Sequence, residues 1–358
     1  MTDPTPTTHV LPPITAILVV RDDVTTVEAA IASVRAQDYA PGVDIVVAIA
    51  PSSDGTADVV RALAASDARL TMLEFSSTSL VVGLNEAIAA ARTAVIIRVD
   101  PRSVLAPDFA VNAVRAMERT DAAALVARTT PVGRTPFVRA VATAQQHRLG
   151  LGGDPLTPRG PEAQTQSAQA HVIRRRSFID IGLYNEEIRH GQGWELNERL
   201  REAGNTVWFA PDLTLEYTPP TRVVQLTRSL FAEGLWRGEF ARAFPEEKVL
   251  RFALPPVIVL TTIIGFILGA IGFFGGVAGA LGPAAVVSLV LFALLVVPLA
   301  YVVVVLVLAV SVMVRSGFRT GLWFAAVLPF IHFSWGFGFI AGFVNLEGAA
   351  DTVIVDFD

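Results

Sequence analysis

From Phe252 to Val314 the chain runs for 63 residues without an Asp, Glu, Lys or Arg. A helix crosses the hydrocarbon core of a bilayer with roughly 20 apolar residues, so this stretch is long enough for two crossings. Arg315 and Arg319 follow, and then a second uncharged run from Thr320 to Leu346. These lengths predict three transmembrane helices, at 252–274, 284–314 and 321–344. A Gly-rich link (Gly275, Gly276, Gly279, Gly282 and Pro283) separates the first two, and Pro298 predicts a kink or tilt in the second. A purely soluble protein is excluded.

Charges beside the spans predict their orientation. Arg237, Arg242, Lys248 and Arg251 precede the first span, and Arg315 and Arg319 lie between the second and third. The link between the first two has no charge, and the tail after the third carries only Glu347, Asp351, Asp356 and Asp358. Positive charge stays on the cytoplasmic side. The expectation is therefore a multi-pass protein of a bacterial inner membrane, with its N-terminal domain and Arg315 loop in the cytoplasm and the acidic tail (346–358) outside. Three spans are too few for a secretion channel of their own, so processive export is not expected. His332 and Tyr301 are the titratable side chains in the spans. His332 is either a functional group or one end of an interhelical hydrogen bond beside Ser334, Gly336, Gly338 and Gly342. Ahead of the spans, Val223, Leu226, Leu230, Phe231, Leu235 and Phe240 recur at helical spacing among arginines. The segment 221–250 thus reads as an amphipathic helix in the membrane interface.

The first 251 residues carry 26 of the 28 basic and 29 of the 33 acidic side chains, a net charge of −3. That mild acidity, without basic runs, argues against nucleic acid as a partner. The absence of cysteine excludes disulfides, thiolate nucleophiles and Cys-ligated zinc. MTDPTPTTHVLPP at the start lacks the apolar core of a signal peptide, and residues 1–11 read as a flexible tail. Residues 12–220 read as one cytoplasmic domain. Apolar runs at 14–20, 43–50, 70–75 and 94–100 alternate with helical faces at 25–37, 56–66 and 81–92. Such alternation predicts an α/β sheet covered on both faces, whose ligands bind at the carboxyl ends of its strands. His147 and His171 show no zinc spacing and read as surface or loop residues. The stretch 150–169 reads as a long loop.

Three strand ends are polar: Arg21-Asp22-Asp23, Pro51-Ser52-Ser53-Asp54-Gly55-Thr56 and Asp100-Pro101-Arg102-Ser103. Asp54 or Ser53 can simply cap the following helix, and Asp100-Pro101 can simply turn the chain. Carboxylates at converging strand ends also suit a divalent cation with a diphosphate. No GxGxxG or P-loop is present, which weakens dinucleotide and ATP readings.

In order along the chain, VVRDD, SSDGT, GLNEAI and RVDPRSVLAPDF resemble the nucleotide-binding half of family 2 glycosyltransferases, which have the GT-A fold. IGLYNEEIRHGQGWELNERLREAGNTVWFAPDL is similar to their acceptor half, and HFSWGFGFIAGFV with the three spans is similar to the succinoglycan-type, ExoA-like membrane branch. The resemblance covers residues 14–345. It implies inverting transfer of a sugar from a nucleoside diphosphate sugar to a lipid-linked or envelope glycan acceptor, with membrane lipid and other envelope-biosynthesis proteins as partners. It implies Mg2+ or Mn2+ at Asp100, a donor pocket lined by Asp22, Asp23, Asp54, Asp100 and Arg102, and catalytic roles for Asp100 and Glu195. Trp194, Gln225, Arg228, Trp236 and Arg237 would face the acceptor or the membrane interface.

Several positions depart from the family pattern. Arg102 stands at the third position of the metal motif, and a guanidinium pairs with diphosphate but ligates no metal. Gly193 stands at the position of the family's base, with Glu195 the nearest substitute and Glu187 and Glu198 further off. Ile49 and Ala50 replace an acidic donor contact, and Gln166 replaces an Asp. An alternative follows from these losses: a catalytically degenerate relative that acts as a binding or scaffold subunit in envelope glycan assembly.

Overall fold

The computed structural model describes residues 11–150, 160–165, 169–187, 191–243, 253–278 and 282–345. The N-terminal tail up to residue 10, Gln166, most of the expected 150–169 loop, the side chain of Trp194 and the acidic tail lie outside what is described. The chain divides into two compact units, residues 1–130 with 155–217, and residues 131–154 with 218–357.

The first unit opens with β1 (Ile14–Val20), α1 (Val27–Arg35), β2 (Val43–Ile49), α2 (Thr56–Ala65), β3 (Leu70–Glu74), α3 (Leu80–Ala90) and β4 (Val95–Val99). It continues through β5 (Ser103–Leu105), α4 (Phe109–Thr120) and β6 (Ala124–Pro131). After α5 (Pro136–Gln146) come β7 (Ala163–Gln164), β8 (Val172–Arg174), α6 (Arg175–Asp180), α7 (Gln192–Glu202) and β9 (Val207–Tyr217). The strands form one mixed sheet in the order β3-β2-β1-β4-β8-β6-β9-β5, with β7 on β9. β1 is parallel to both β2 and β4, whereas β8 runs antiparallel to β4 and to β6.

Strand β1 shows why an unbroken apolar run becomes a central strand. All seven of its residues are buried. Ile14, Ala16, Leu18 and Val20 enter the core on one face, and Ile17 and Val19 the core on the other. Such double burial is what parallel strands flanked by helices require.

His171 is not a surface residue. It is buried in the bend that leads into β8, where its Nδ1 accepts a hydrogen bond from Ala127 N at 3.1 Å. The position is fixed by strand pairing, which an isolated His in the sequence does not reveal.

The second unit holds α5 together with α8 (Val223–Ala243), α9 (Leu254–Val277), α10 (Pro283–Ala293), α11 (Val296–Ser316) and α12 (Phe318–Phe343). Among the described residues three apolar stretches are long enough to cross a membrane: Leu254–Val277, Pro283–Ser316 and Phe318–Phe343. The second is broken at Leu294–Leu295, where Val297 N reaches back only to Leu294 O and Pro298 has no N–H to give. The core of this unit gathers on α12. Phe324, Val327, Leu328, Ile331, Trp335 and Phe339 pack with Ala140, Val141 and Ala144 of α5, Leu226 and Leu230 of α8, and Val305, Ala309 and Val312 of α11.

Candidate active site

The parallel order β2-β1-β4 brings three strand ends together, and the loops that leave them are tied to one another. Asp22 takes a positive φ of 52°, unusual for a residue other than Gly. Its Oδ1 accepts from Ser53 N at 2.8 Å, and its own N donates to Ser52 Oγ at 3.3 Å. Asp54 Oδ1 accepts from Thr56 N at 2.9 Å and from its hydroxyl at 2.5 Å, while Oδ2 accepts from Val24 N at 3.0 Å. Burial pushes the Asp54 carboxyl up, but those hydrogen bonds outweigh it and leave its pKa below the ordinary value. Asp54 therefore closes a local turn and clasps the loop after β1. It does not cap α2, whose preceding residue is Gly55.

Deeper in this corner stand Asp23, Asp100, Arg102 and Tyr217. Asp23 is buried, and its N donates to Thr56 Oγ1 at 2.9 Å. Its Oδ2 accepts from Arg21 N at 3.2 Å, and its Oδ1 pairs with Arg102 Nε at 3.4 Å. Asp100 Oδ1 accepts from Arg102 N at 2.8 Å, which turns the chain after β4 and aims Arg102 back toward β1. Burial raises the Asp23 carboxyl above its ordinary pKa against the pull of Arg102. Burial likewise works against the Arg102 charge, but Tyr217, Asp23 and Asp100 outweigh it and hold the guanidinium protonated. Tyr217, at the end of β9, is half-buried. Burial, and then the Asp100 charge, push that phenol up to about 12. No motif marks Tyr217 in the sequence. The available signal was its position as the last residue of a strand that pairs with Ser103, directly after the Asp100 motif.

No metal site is shown at Asp100, where Mg2+ or Mn2+ is expected. Among the described residues no group of three or more His, Asp or Glu side chains could hold an ion. The Arg102 guanidinium pairs with Asp23, while Asp100 takes the Arg102 backbone N–H.

The acceptor-half motifs are built around one turn. Asn85 of α3 donates to Tyr184 O at 2.9 Å and to Glu186 Oε1 at 2.9 Å, and accepts from Tyr184 N at 3.0 Å. Gly83 lets α3 approach closely enough for this, since a Cβ there would lie 2.5 Å from the Phe75 ring and 2.7 Å from Val19. GLNEAI is thus the brace of the 181–186 turn. Arg199 of α7 secures the same turn, donating to Ile181 O at 2.6 Å and to Leu183 O at 2.7 Å. It also holds both oxygens of Glu195, at 2.5 and 2.8 Å. Glu198 pairs with Arg201. Glu195, expected as the base, therefore has its carboxylate occupied by a two-point ion pair.

The remaining site residues lie on α8, in the second unit. Arg237 is buried, pairs with Glu233 at 2.9 Å and covers the Trp236 ring at 4.2 Å. Arg228 is exposed, and Gln225 is half-buried three residues before it. The Arg174-Arg175-Arg176 run is structural: Arg174 meets Asp121, Arg175 donates to Ile88 O and Ala89 O, and Arg176 meets Asp180.

Comparison with known proteins agrees with this architecture. Residues 15–182 match the family model Glycosyl transferase family 2. Over those residues the chain is similar to family 2 glycosyltransferases, and its fold is of the GT-A type, as the resemblance of its motifs implied. It is 27% identical over 237 residues to succinoglycan biosynthesis protein ExoA of Rhizobium meliloti (strain 1021), a match that spans 64% of this chain and 72% of ExoA. The mannosyltransferase PcManGT of Pyrobaculum calidifontis, solved in complex with GDP-Man and Mn2+, is similar with a TM-score of 0.56 and 15% identity. That match covers 95% of this chain and 89% of PcManGT, so the shared fold takes in the C-terminal helices. TarS of S. aureus matches with a TM-score of 0.47 and 14% identity over 62% of this chain, which spans only 40% of TarS.

Proposed function

We propose that this chain is a membrane-bound inverting glycosyltransferase. It moves a sugar from a nucleoside diphosphate sugar to a lipid-linked or envelope glycan acceptor at the cytoplasmic face of a bacterial inner membrane. One observation carries the reading: at the clasped ends of β1, β2 and β4 the charged guanidinium of Arg102 pairs with Asp23, and Asp100 turns the Arg102 backbone toward it. A departing diphosphate carries the negative charge that grows in the transition state, and a preorganised cation there lowers the barrier. Arg102 supplies that charge, with Asp23 and Asp100 orienting it and Asp22 and Asp54 shaping the loops around the nucleotide. The likeness to ExoA supports a role in polysaccharide assembly, and the apolar helices support membrane anchoring.

The test is transfer of labelled sugar from UDP-, GDP- and TDP-sugars into the lipid and glycan fraction of membranes containing the chain. Incorporation that is lost in Asp100→Ala supports the reading; none with any donor contradicts it.

A second reading is favoured by the other half of the site. Inverting transfer needs a carboxylate to take the acceptor proton, yet the base position is Gly193 and Glu195 is held by Arg199. A relative that binds donor or glycan without turnover, as a subunit of an envelope assembly, would look like this. Such a protein would bind donor and transfer nothing.

A further inference from the structure

Helix α12 is packed unlike the other two apolar helices. In its most apolar stretch 61% of residues are buried, against 22% for Leu254–Val277 and 6% for Pro283–Ser316. What buries it is not lipid-like. Along its first half lies α5: Phe137 meets the Trp323 ring at 5.3 Å, and His147 meets Phe324 at 6.3 Å. Just past α5, Leu149 O is 2.5 Å from His332 Nε2. α5 carries exposed Arg139 and is followed by exposed Arg148. In the chain it sits between β6 and β8, adjacent strands of one sheet, and its 11 residues are too few to cross a bilayer.

Along the second half of α12 lies α8. The two helices touch backbone to backbone: a Cβ on Gly234 or Gly238 would lie 2.1 Å from Trp335 O or Phe339 O. A Cβ on Gly338 or Gly342 would lie 2.2 or 2.0 Å from Phe231 O or Leu235 O. Paired small residues four apart permit this approach. α8 brings Arg228, Glu233, Arg237, Glu239 and Arg242 with it, and charges at the centre of a bilayer are costly.

The contacts of α12 with the other apolar helices lead to the same conclusion. Gly321 packs on Ala309 and Met313, near the end of α11, and Gly336 packs on Pro255 and Val259, at the start of α9. Those two ends flank the basic residues and lie on one side of the membrane. Yet Gly321 and Gly336 are 15 residues apart, about 22 Å along a helix. A helix crossing beside α9 and α11 would have left their near ends over that distance. The deepest contact recorded is Tyr301, whose hydroxyl is 3.0 Å from His332 Nδ1. The exposed large apolar residues of α12, Phe318, Leu322, Trp323, Phe330, Phe337 and Phe343, fall on one side of the helix, as on a helix with one face in lipid.

We infer that α12 lies in the membrane interface and that the chain crosses the bilayer twice, through α9 and through α10 with α11. Its C-terminal end then lies on the same side as the sheet, not on the opposite side as the charge pattern alone suggested. α5, α8 and α12 together make the surface that rests on the headgroups. The inference stands apart from the proposed chemistry.

The lack of cysteine makes the test direct. Single cysteines at Ser66, Ala278, Ser316 and Asn345 are labelled with a membrane-impermeant maleimide in spheroplasts, before and after lysis. Ala278→Cys, between α9 and α10, is expected to label in intact spheroplasts. Ser66→Cys, Ser316→Cys and Asn345→Cys are expected to label only on lysis. Labelling of Asn345→Cys on the opposite side from Ser66→Cys overturns the inference, whichever side the sheet occupies. C-terminal fusions give a second readout that needs no thiol chemistry. A fluorescent green protein and an inactive alkaline phosphatase are expected; an active phosphatase on that terminus overturns the two-crossing topology.

Discussion

Arg199 grips Glu195 with two nitrogens, Nε on Oε1 at 2.5 Å and Nη2 on Oε2 at 2.8 Å, while its remaining donors hold the Ile181 and Leu183 carbonyls. Glu195 is thereby a positioning residue for the turn that follows α6. Glu195→Gln should lower stability by about 1–2 kcal/mol, the scale of a lost charge-assisted pair, and reduce transfer less than tenfold. The pH profile of transfer should keep its acid limb. A loss of about a thousandfold with disappearance of that limb would make Glu195 the base instead.

Gly193→Asp places a carboxylate where the resemblance puts the family's base. In a chain that already transfers sugar, the change should leave the rate unimproved or lower it, because a second acid would compete at the acceptor. In a chain that only binds, it is the substitution that would create transfer. Rates measured on both proteins under one donor concentration decide between the two readings.

The α8–α12 contact leaves no room for a side chain. Gly338→Leu should destabilise by about 1–3 kcal/mol through overpacking, seen as a lower melting temperature and yield in detergent. Gly276 has nothing within 4 Å of its would-be Cβ, so Gly276→Leu should be tolerated. Equal behaviour of the two variants would deny the packing.

His171 supplies a pH dependence. Burial, and then Arg98, push it down to about 3 from an ordinary 6.5. Above 6.5 neither folded nor unfolded chain holds the proton. Between 6.5 and about 3 only the unfolded chain does, so the folded state loses roughly 1.4 kcal/mol per pH unit as the solution is acidified. His171→Asn should flatten that acid limb in thermal unfolding from pH 7 to pH 4.

Much of the fold was legible because it rests on local pattern. The apolar runs at 14–20, 43–50, 70–75 and 94–100 became β1 to β4 within a residue at either end. Pro298 announced the break before α11. Other features depend on partners distant in sequence. The Asp23–Arg102 pair joins residues 79 positions apart, and Asn85 meets Tyr184 across 99. Apolar spacing in 221–250 suggested an interfacial helix. Gly234 and Gly238 also seat α8 on α12, a signal that only its partner, Gly338 with Gly342, makes readable. Length and hydropathy mark α12 as long and apolar enough to span, but they do not record what covers a helix.

The central claim is that Arg102 is the cation of a nucleoside diphosphate site. Its most direct test is calorimetric titration of UDP-, GDP- and TDP-sugars onto the full chain in detergent, with chelator present and then with Mn2+. Binding in chelator, weakened about 10- to 100-fold in Arg102→Ala, as for loss of a charge-assisted pair, is the predicted result. Binding that appears only with Mn2+, or that Arg102→Ala leaves unchanged, would contradict it.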